Sequence, residues 1–118
     1  MTKGFGEYVR EQREALNARQ GGFSLRKVAE RLDIQATYLS KVERGEVPPP
    51  SEKTICHLAE ILGEDKDVLL ALAGRVSADL RDVIVKRPRL FAELIRQLKD
   101  MPDHALLRVV REVRDGKW

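Results

Sequence analysis

The apolar residues of this chain recur every three or four positions with charged residues between them, the spacing of amphipathic helices rather than strands. The first run predicts a helix over about residues 3–19. A second helix is predicted from Ser24, a residue suited to the N-cap, to about Leu32. A third covers about residues 36–44 and stops at Gly45, which can take the left-handed conformation that closes a helix.

Proline and glycine separate the next helices. The run EVPPPSE cannot be helical, because each proline lacks an amide donor and restricts the residue before it. Ser51 is placed to cap a fourth helix over Glu52–Leu62. A fifth helix is predicted over about Asp65–Ala73, with acidic residues in its first turn, and Gly74 ends it.

The pattern continues beyond the fifth helix as a second unit. A cap at Ser77 and helix starts at Pro88 and Pro102 predict up to three more helices. The apolar stripes of the last two are Leu90, Phe91, Leu94, Ile95 and Leu98, then Leu106, Val109, Val110 and Val113. Each stripe must be covered. The sequence therefore predicts two parts, residues 1–73 and residues 74–118.

The composition favours an all-α protein. Hydrophobic residues make up 42% of the 118 residues, enough for one modest core, whereas aromatic residues contribute only 5% and charged residues 35%. The net charge of +3 permits nucleic-acid binding without arguing for it. No apolar run approaches the roughly 20 residues of a membrane span, and the N-terminal segment has no apolar signal-peptide run. We expect a cytoplasmic protein that makes no membrane contact.

Few residues suggest catalytic or metal chemistry. The single cysteine, Cys56, lies among apolar residues of a predicted helix and is interpreted as a small buried hydrophobe. His57 and His104 are the only histidines, so no spaced Cys/His metal site can be assembled. Neither histidine has a convincing nucleophile and orienting partner, and no glycine-rich phosphate loop follows a strand. The sequence predicts no enzyme activity, no metal and no cofactor.

The second and third helices are too short and too close for either to bury a core alone. In the stretch SLRKVAERLDIQATYLSKVERG, the apolar positions and the small Ala29 allow them to share one apolar seam, with the first and fourth helices as braces. With the downstream ICHLAEILG, this stretch resembles the helix-turn-helix domain of phage-repressor-like (Cro-type, XRE) transcription regulators over roughly residues 5–72. The resemblance implies a five-helix repressor-like domain, followed here by two or three C-terminal helices.

The chain departs from that family's usual pattern at two residues and in the lengths of two loops. The turn has Asp33 where glycine is common, although aspartate enters the left-handed region at modest cost. Gln35 stands where a serine or threonine cap is commoner and is a weaker cap. The segments ARQGG and EVPPP also exceed the usual loop lengths, which leaves contacts from those loops open.

The resemblance implies that the third helix lies in the major groove of double-stranded DNA. Base contacts are then expected from Gln35, Thr37, Tyr38 and Lys41, and phosphate contacts from Ser24, Arg26, Ser40, Arg44 and Lys53. The competing interpretation is a solvated polar helix face that touches nothing. The resemblance also implies a partly buried ion pair between Arg13 and Glu43, which would fix helix orientation rather than perform catalysis.

One helix-turn-helix module makes few base contacts, so a homodimer reading an inverted repeat is expected. The candidate dimer surface comprises Leu69, Leu70, Phe91, Leu94, Ile95, Leu98, Val109 and Val110. The alternative is that these stripes pack on each other within one chain.

Three functions agree with the sequence. The first is a dimeric, sequence-specific DNA-binding transcription regulator that acts as a repressor. The second is an antitoxin-like autoregulator whose C-terminal helices bind a protein partner. The third is a protein-binding adaptor that kept the fold without DNA contact.

Overall fold

The computed structural model describes residues 4–118, which form eight α-helices and their connecting turns, with no strand in that range. This confirms the predicted all-α fold. The helices are α1 (Phe5–Gln20), α2 (Leu25–Leu32), α3 (Ala36–Glu43), α4 (Glu52–Leu62), α5 (Lys66–Leu72), α6 (Ala78–Lys86), α7 (Pro88–Leu98) and α8 (Asp103–Asp115). The chain divides into two compact units, of which the first ends at Ser77 and the second spans Ala78–Trp118.

Local capping residues account for the helix starts in the first unit. The hydroxyl of Ser24 accepts a hydrogen bond from the Lys27 amide at 3.2 Å, and the hydroxyl of Ser51 accepts one from the Thr54 amide at 3.3 Å. Each bond satisfies an amide that has no partner within its helix. The predicted start of the first helix at about residue 3 lies outside the described residues.

One apolar core fills the first unit, and α1 to α5 all contribute to it. Its buried members are Phe5, Val9, Val28, Ala29, Leu32, Leu39, Val42, Ile55, Leu58, Ala59, Ile61, Leu62, Leu69 and Leu70. The prediction that Leu69 and Leu70 form part of a dimer surface is therefore wrong. Both side chains are 0% exposed, because α5 packs its apolar face against α4.

The second unit is packed much less completely. None of residues 78–118 is buried, although α6 packs against α7. Among the stripe residues, Leu90, Leu94, Ile95, Val110 and Val113 are 47–70% exposed. Phe91, Leu98 and Val109 are half-buried. Three amphipathic helices thus leave a large part of their apolar surface in solvent.

The boundary between the two units differs from one sequence prediction. Ser77 was expected to cap α6, but its side chain is buried, and its hydroxyl makes no hydrogen bond within residues 4–118. The hydroxyl is turned inward, so it does not satisfy the first amides of α6. In contrast, α7 begins at Pro88 as predicted, and α8 begins at Asp103, one residue after the predicted Pro102.

Candidate nucleic-acid interface

The turn between α2 and α3 sets the direction in which α3 leaves the core. Asp33 adopts the left-handed conformation, with φ of 56° and ψ of 45°. The amide of Asp33 donates to the Glu30 carbonyl at 3.0 Å, and the amide of Ile34 donates to the Ala29 carbonyl at 3.0 Å. These bonds satisfy the last carbonyls of α2. Aspartate therefore supports the tight turn in place of glycine.

Helix α3 has one buried face and one exposed face. Leu39 and Val42 are each 2% exposed and join the core. Thr37 and Lys41 are exposed, as is Gln35, which occupies the N-cap without a side-chain capping bond. A polar surface is therefore presented outward on a helix whose apolar side is fixed.

Not all of the predicted base-contacting residues are equally available. Tyr38 is half-buried and packs against the core, so only part of its side chain lies on the outer surface. Ser40 is also half-buried. The exposed positions Gln35, Thr37 and Lys41 thus form the most accessible part of α3.

Some of the predicted phosphate-contacting side chains already have partners within the protein, and others are simply exposed. Arg26 and Lys53 are exposed in the first turns of α2 and α4. The hydroxyl of Ser24 is used as the cap of α2. Arg44 donates from Nε to the Ser40 carbonyl at 3.3 Å and pairs through Nη1 with Glu46 at 3.1 Å. A phosphate at Arg44 would therefore share the guanidinium with a carboxylate that is already paired with it.

A buried ion pair joins α1 to the end of α3. Arg13 donates from Nε and Nη2 to the two oxygens of Glu43 at 2.7 and 2.9 Å, and the side chains are 9% and 4% exposed. A third bond, from Nη1 of Arg13, reaches the carbonyl of Phe23 at 3.2 Å. The hydrogen bonds to Glu43 raise the pKa of the Arg13 guanidinium. One side chain thus holds α1, α3 and the loop before α2 together.

Two contacts that orient this region were not predicted from the sequence. Gly6 lies so close to the end of α3 that a Cβ atom would stand 2.2 Å from the Val42 carbonyl oxygen. Arg75 donates from Nη1 to the Pro50 carbonyl at 2.6 Å and from Nη2 to the Pro49 carbonyl at 3.3 Å, and so holds the EVPPP loop. A glycine within a helical pattern was a signal for the first contact. The contact of Arg75 could not be predicted in this way, because its partners are backbone carbonyls and every residue has one.

Helix α3 follows a tight left-handed turn, presents polar side chains outward and is held to α1 by a buried ion pair. This arrangement is that of a helix-turn-helix protein. The comparison with protein families agrees: residues 5–73 match the family model described as a helix-turn-helix domain. The chain belongs to this helix-turn-helix family. This confirms the predicted membership, and the more specific XRE resemblance is consistent with it.

Two curated relatives, from two strains of Mycobacterium tuberculosis (CDC 1551 / Oshkosh and ATCC 25618 / H37Rv), are each named an uncharacterized HTH-type transcriptional regulator. Each is 33% identical to this chain over 84 residues, which cover 68% of this chain and 56% of the relative. The chain thus spans about half the length of the curated relatives it matches. No solved structure matches the chain significantly.

Within residues 4–118, no helix has the length and apolar character required to cross a membrane. The same part of the chain holds no cluster of three or more His, Cys, Asp or Glu side chains arranged to bind a metal ion.

Proposed function

We propose that this protein is a DNA-binding transcription regulator that reads double-stranded DNA through α3. The observation that carries the proposal is the division of α3 into a buried face, fixed by Leu39, Val42 and the Glu43 ion pair, and an exposed polar face. A rigid helix with outward polar side chains fits the major groove of B-form DNA. Such a regulator acts where the DNA is, in the cytoplasm.

The exposed side chains of α3 have suitable chemistry for reading base edges. Gln35 can form a bidentate pair with adenine, and Lys41 can donate to the acceptor atoms of guanine. The methyl group of Thr37 and the ring of Tyr38 can contact a thymine methyl group or a phosphate. Together these four residues form the proposed base-contacting set.

The proposed phosphate contacts surround this helix. Arg26 and Lys53 are exposed in the first turns of α2 and α4, where helix N-terminal amides also favour an anion. Ser24, Ser40 and Arg44 complete the set. These contacts position the protein on the duplex and carry no sequence information of their own.

Replacement of Lys41 or Thr37 by alanine is expected to weaken binding to the preferred DNA site. Each base contact is worth about 1–3 kcal/mol of discrimination, or roughly a 5- to 150-fold loss of affinity. The preferred site is first selected from random duplex DNA, and binding of each variant is then measured by electrophoretic mobility shift. Binding to unrelated duplex DNA should change little for Thr37→Ala, which leaves the charge unaltered.

Arg19→Ala is the control, because Arg19 is an exposed residue at the end of α1 outside the proposed contacts. It should leave the preference for the selected site unchanged. Failure of the folded wild-type protein to bind any duplex would reject DNA recognition and favour the adaptor interpretation.

We also infer that the protein is a homodimer and a repressor that recognises an inverted repeat. Exposed apolar residues on α7 and α8, with Leu94, Ile95 and Val110 at 47–55%, supply a surface that a second copy could cover. Phe91, Leu98 and Val109 are half-buried beside them. A twofold dimer would place its two α3 helices about 34 Å apart, one turn of the duplex. Occupation of such an operator blocks polymerase access.

Leu94→Arg is expected to convert the dimer into a monomer, because it places a charge in the apolar surface of α7. Sedimentation velocity at micromolar concentration measures the change. Ala92→Arg is the matched control: two residues away, it lies on nearly the opposite side of the helix and should leave the dimer intact. A monomeric wild-type protein would contradict dimerisation and would favour the antitoxin-like alternative, in which these helices bind a different protein.

A further inference from the structure

Glu46, three residues beyond the end of α3, places a carboxylate beside the proposed DNA-binding surface. Gly45 has a φ of 73°, and this left-handed turn reverses the chain after Arg44. The amide of Glu46 then donates to the carbonyl of Lys41 at 2.9 Å. Glu46 is thus fixed by its backbone to a residue of the proposed base-contacting set.

The side chain of Glu46 pairs with Arg44. The distance from Nη1 of Arg44 to Oε1 of Glu46 is 3.1 Å, and the two side chains are 51% and 49% exposed. An exposed pair of this kind contributes little to folding stability. The last carbonyls of α3 also make the C-terminal end of the helix partially negative, so a carboxylate gains nothing there from the helix dipole. The fold gives no strong reason for an acidic residue at this position.

The other arginines near Arg44 are likewise engaged by glutamates. Arg10, Arg13 and Arg44 line one small cavity of about 210 Å³. Arg10 pairs with Glu14 at 2.9 Å, and Arg13 pairs with Glu43 at 2.7 Å. Each of the three arginines that line this cavity is therefore already paired with a carboxylate.

We propose that Glu46 lowers the affinity of this protein for DNA by competing with backbone phosphates for the guanidinium of Arg44. Glu46 acts through Arg44 and needs no contact with DNA. Phosphate contacts supply most of the sequence-independent affinity, so a competing carboxylate weakens binding to every duplex and leaves the preference among sequences to the base contacts. This inference rests on the proposed DNA-binding function.

The test uses the full-length protein and a fluorescent mixed-sequence duplex of about three helical turns, because the competition does not depend on the operator. Glu46→Gln keeps the size and the backbone bond while removing the charge. It is expected to tighten binding roughly two- to five-fold at about 50 mM salt, the range expected for exchange of an exposed ion pair. The gain should shrink at about 200 mM salt, where the charges are screened more strongly.

Two further variants separate competition at Arg44 from a general charge effect. Glu93→Gln makes the same charge change in an exposed pair on α7, whose partner, Arg96, is outside the proposed phosphate contacts. It should alter affinity by no more than about 1.5-fold. In an Arg44→Ala background, Glu46→Gln should lose most of its effect, because the residue through which it acts is absent.

Equal gains from Glu46→Gln and Glu93→Gln would overturn the inference, because removal of any acidic charge would then have the same effect. An undiminished gain in the Arg44→Ala background would also overturn it and would indicate direct repulsion between Glu46 and the phosphates. In both cases DNA binding itself stands. If the folded wild-type protein binds no duplex, the proposed function fails and this inference falls with it.

Discussion

Glu43→Leu is expected to lower the free energy of unfolding of the first unit by about 3–5 kcal/mol. The substitution leaves the Arg13 guanidinium without its carboxylate at a site where the arginine side chain is only 9% exposed. Removal of one partner of a buried pair is much more costly than the net value of the pair, because the remaining charge is left largely out of water without its hydrogen-bonded carboxylate. Urea unfolding followed by circular dichroism measures the loss.

The double variant Arg13→Met and Glu43→Leu distinguishes an unpaired charge from damaged packing. Apolar side chains at both positions remove the buried charges together, so most of the lost stability should return, less about 1 kcal/mol for the lost hydrogen bond to the Phe23 carbonyl. Glu14→Leu is the matched control in the exposed Arg10 pair, where a change of about 0.5 kcal/mol is expected. A double variant as unstable as Glu43→Leu would show that shape, not charge, sets the requirement.

Gly6→Ala is expected to destabilise the first unit by about 3 kcal/mol, although alanine normally favours a helix over glycine by about 1 kcal/mol. A Cβ at this position would meet the carbonyl oxygens of Val42 and Glu43 at 2.2 and 2.7 Å. These are backbone atoms that cannot rotate away, so α1 and the end of α3 would have to separate. The midpoint of urea unfolding measures this loss. All variants are compared at one protein concentration, because the proposed self-association would make stability depend on concentration.

Gly4→Ser is the control for this substitution. It lies two residues earlier at the N-cap of α1, where no atom stands within 4 Å of the added Cβ and where serine is a favoured capping residue. Its stability should be unchanged or slightly higher. If Gly6→Ala unfolds at the same urea concentration as Gly4→Ser, the close approach of α1 to α3 is not required for the fold.

Glu43→Leu and Gly6→Ala should also impair the proposed DNA binding, because both weaken the contacts that hold α3 against α1. The ion pair and the glycine contact join α1 to the last turn of α3 at neighbouring residues. A variant that stays folded but has a loosened α3 would lose site preference before it loses sequence-independent affinity, because base contacts need a fixed geometry and phosphate contacts tolerate motion.

Features with a local cause were read correctly from the sequence. The caps at Ser24 and Ser51 depend on a hydroxyl and the amides three residues later, so the sequence contains both partners. The left-handed turn at Asp33 was inferred from the family resemblance, and the conformational preference of aspartate explains why the turn forms without glycine. For Arg13 and Glu43 the spacing alone says nothing, and their pairing was inferred from the family resemblance.

Features that depend on remote atoms were misread or missed. The apolar Leu69 and Leu70 resemble the stripe residues of α7 in sequence, yet α5 packs them into the core while α7 leaves much of its stripe exposed. Ser77 has the same residue type as the working caps but turns its hydroxyl inward. Periodicity identifies an apolar face and cannot tell what covers it.

Short-range periodicity and capping were enough to predict the helices of the first unit, the tight turn and the polar residues of α3. Which apolar faces are buried became known only from the folded arrangement of the helices. It also placed Gly6 against the end of α3, Arg75 on the proline loop and Glu46 beside Arg44. Helix formation depends on neighbours within about one turn, whereas burial, close approach and charge pairing depend on atoms that the folded chain brings together.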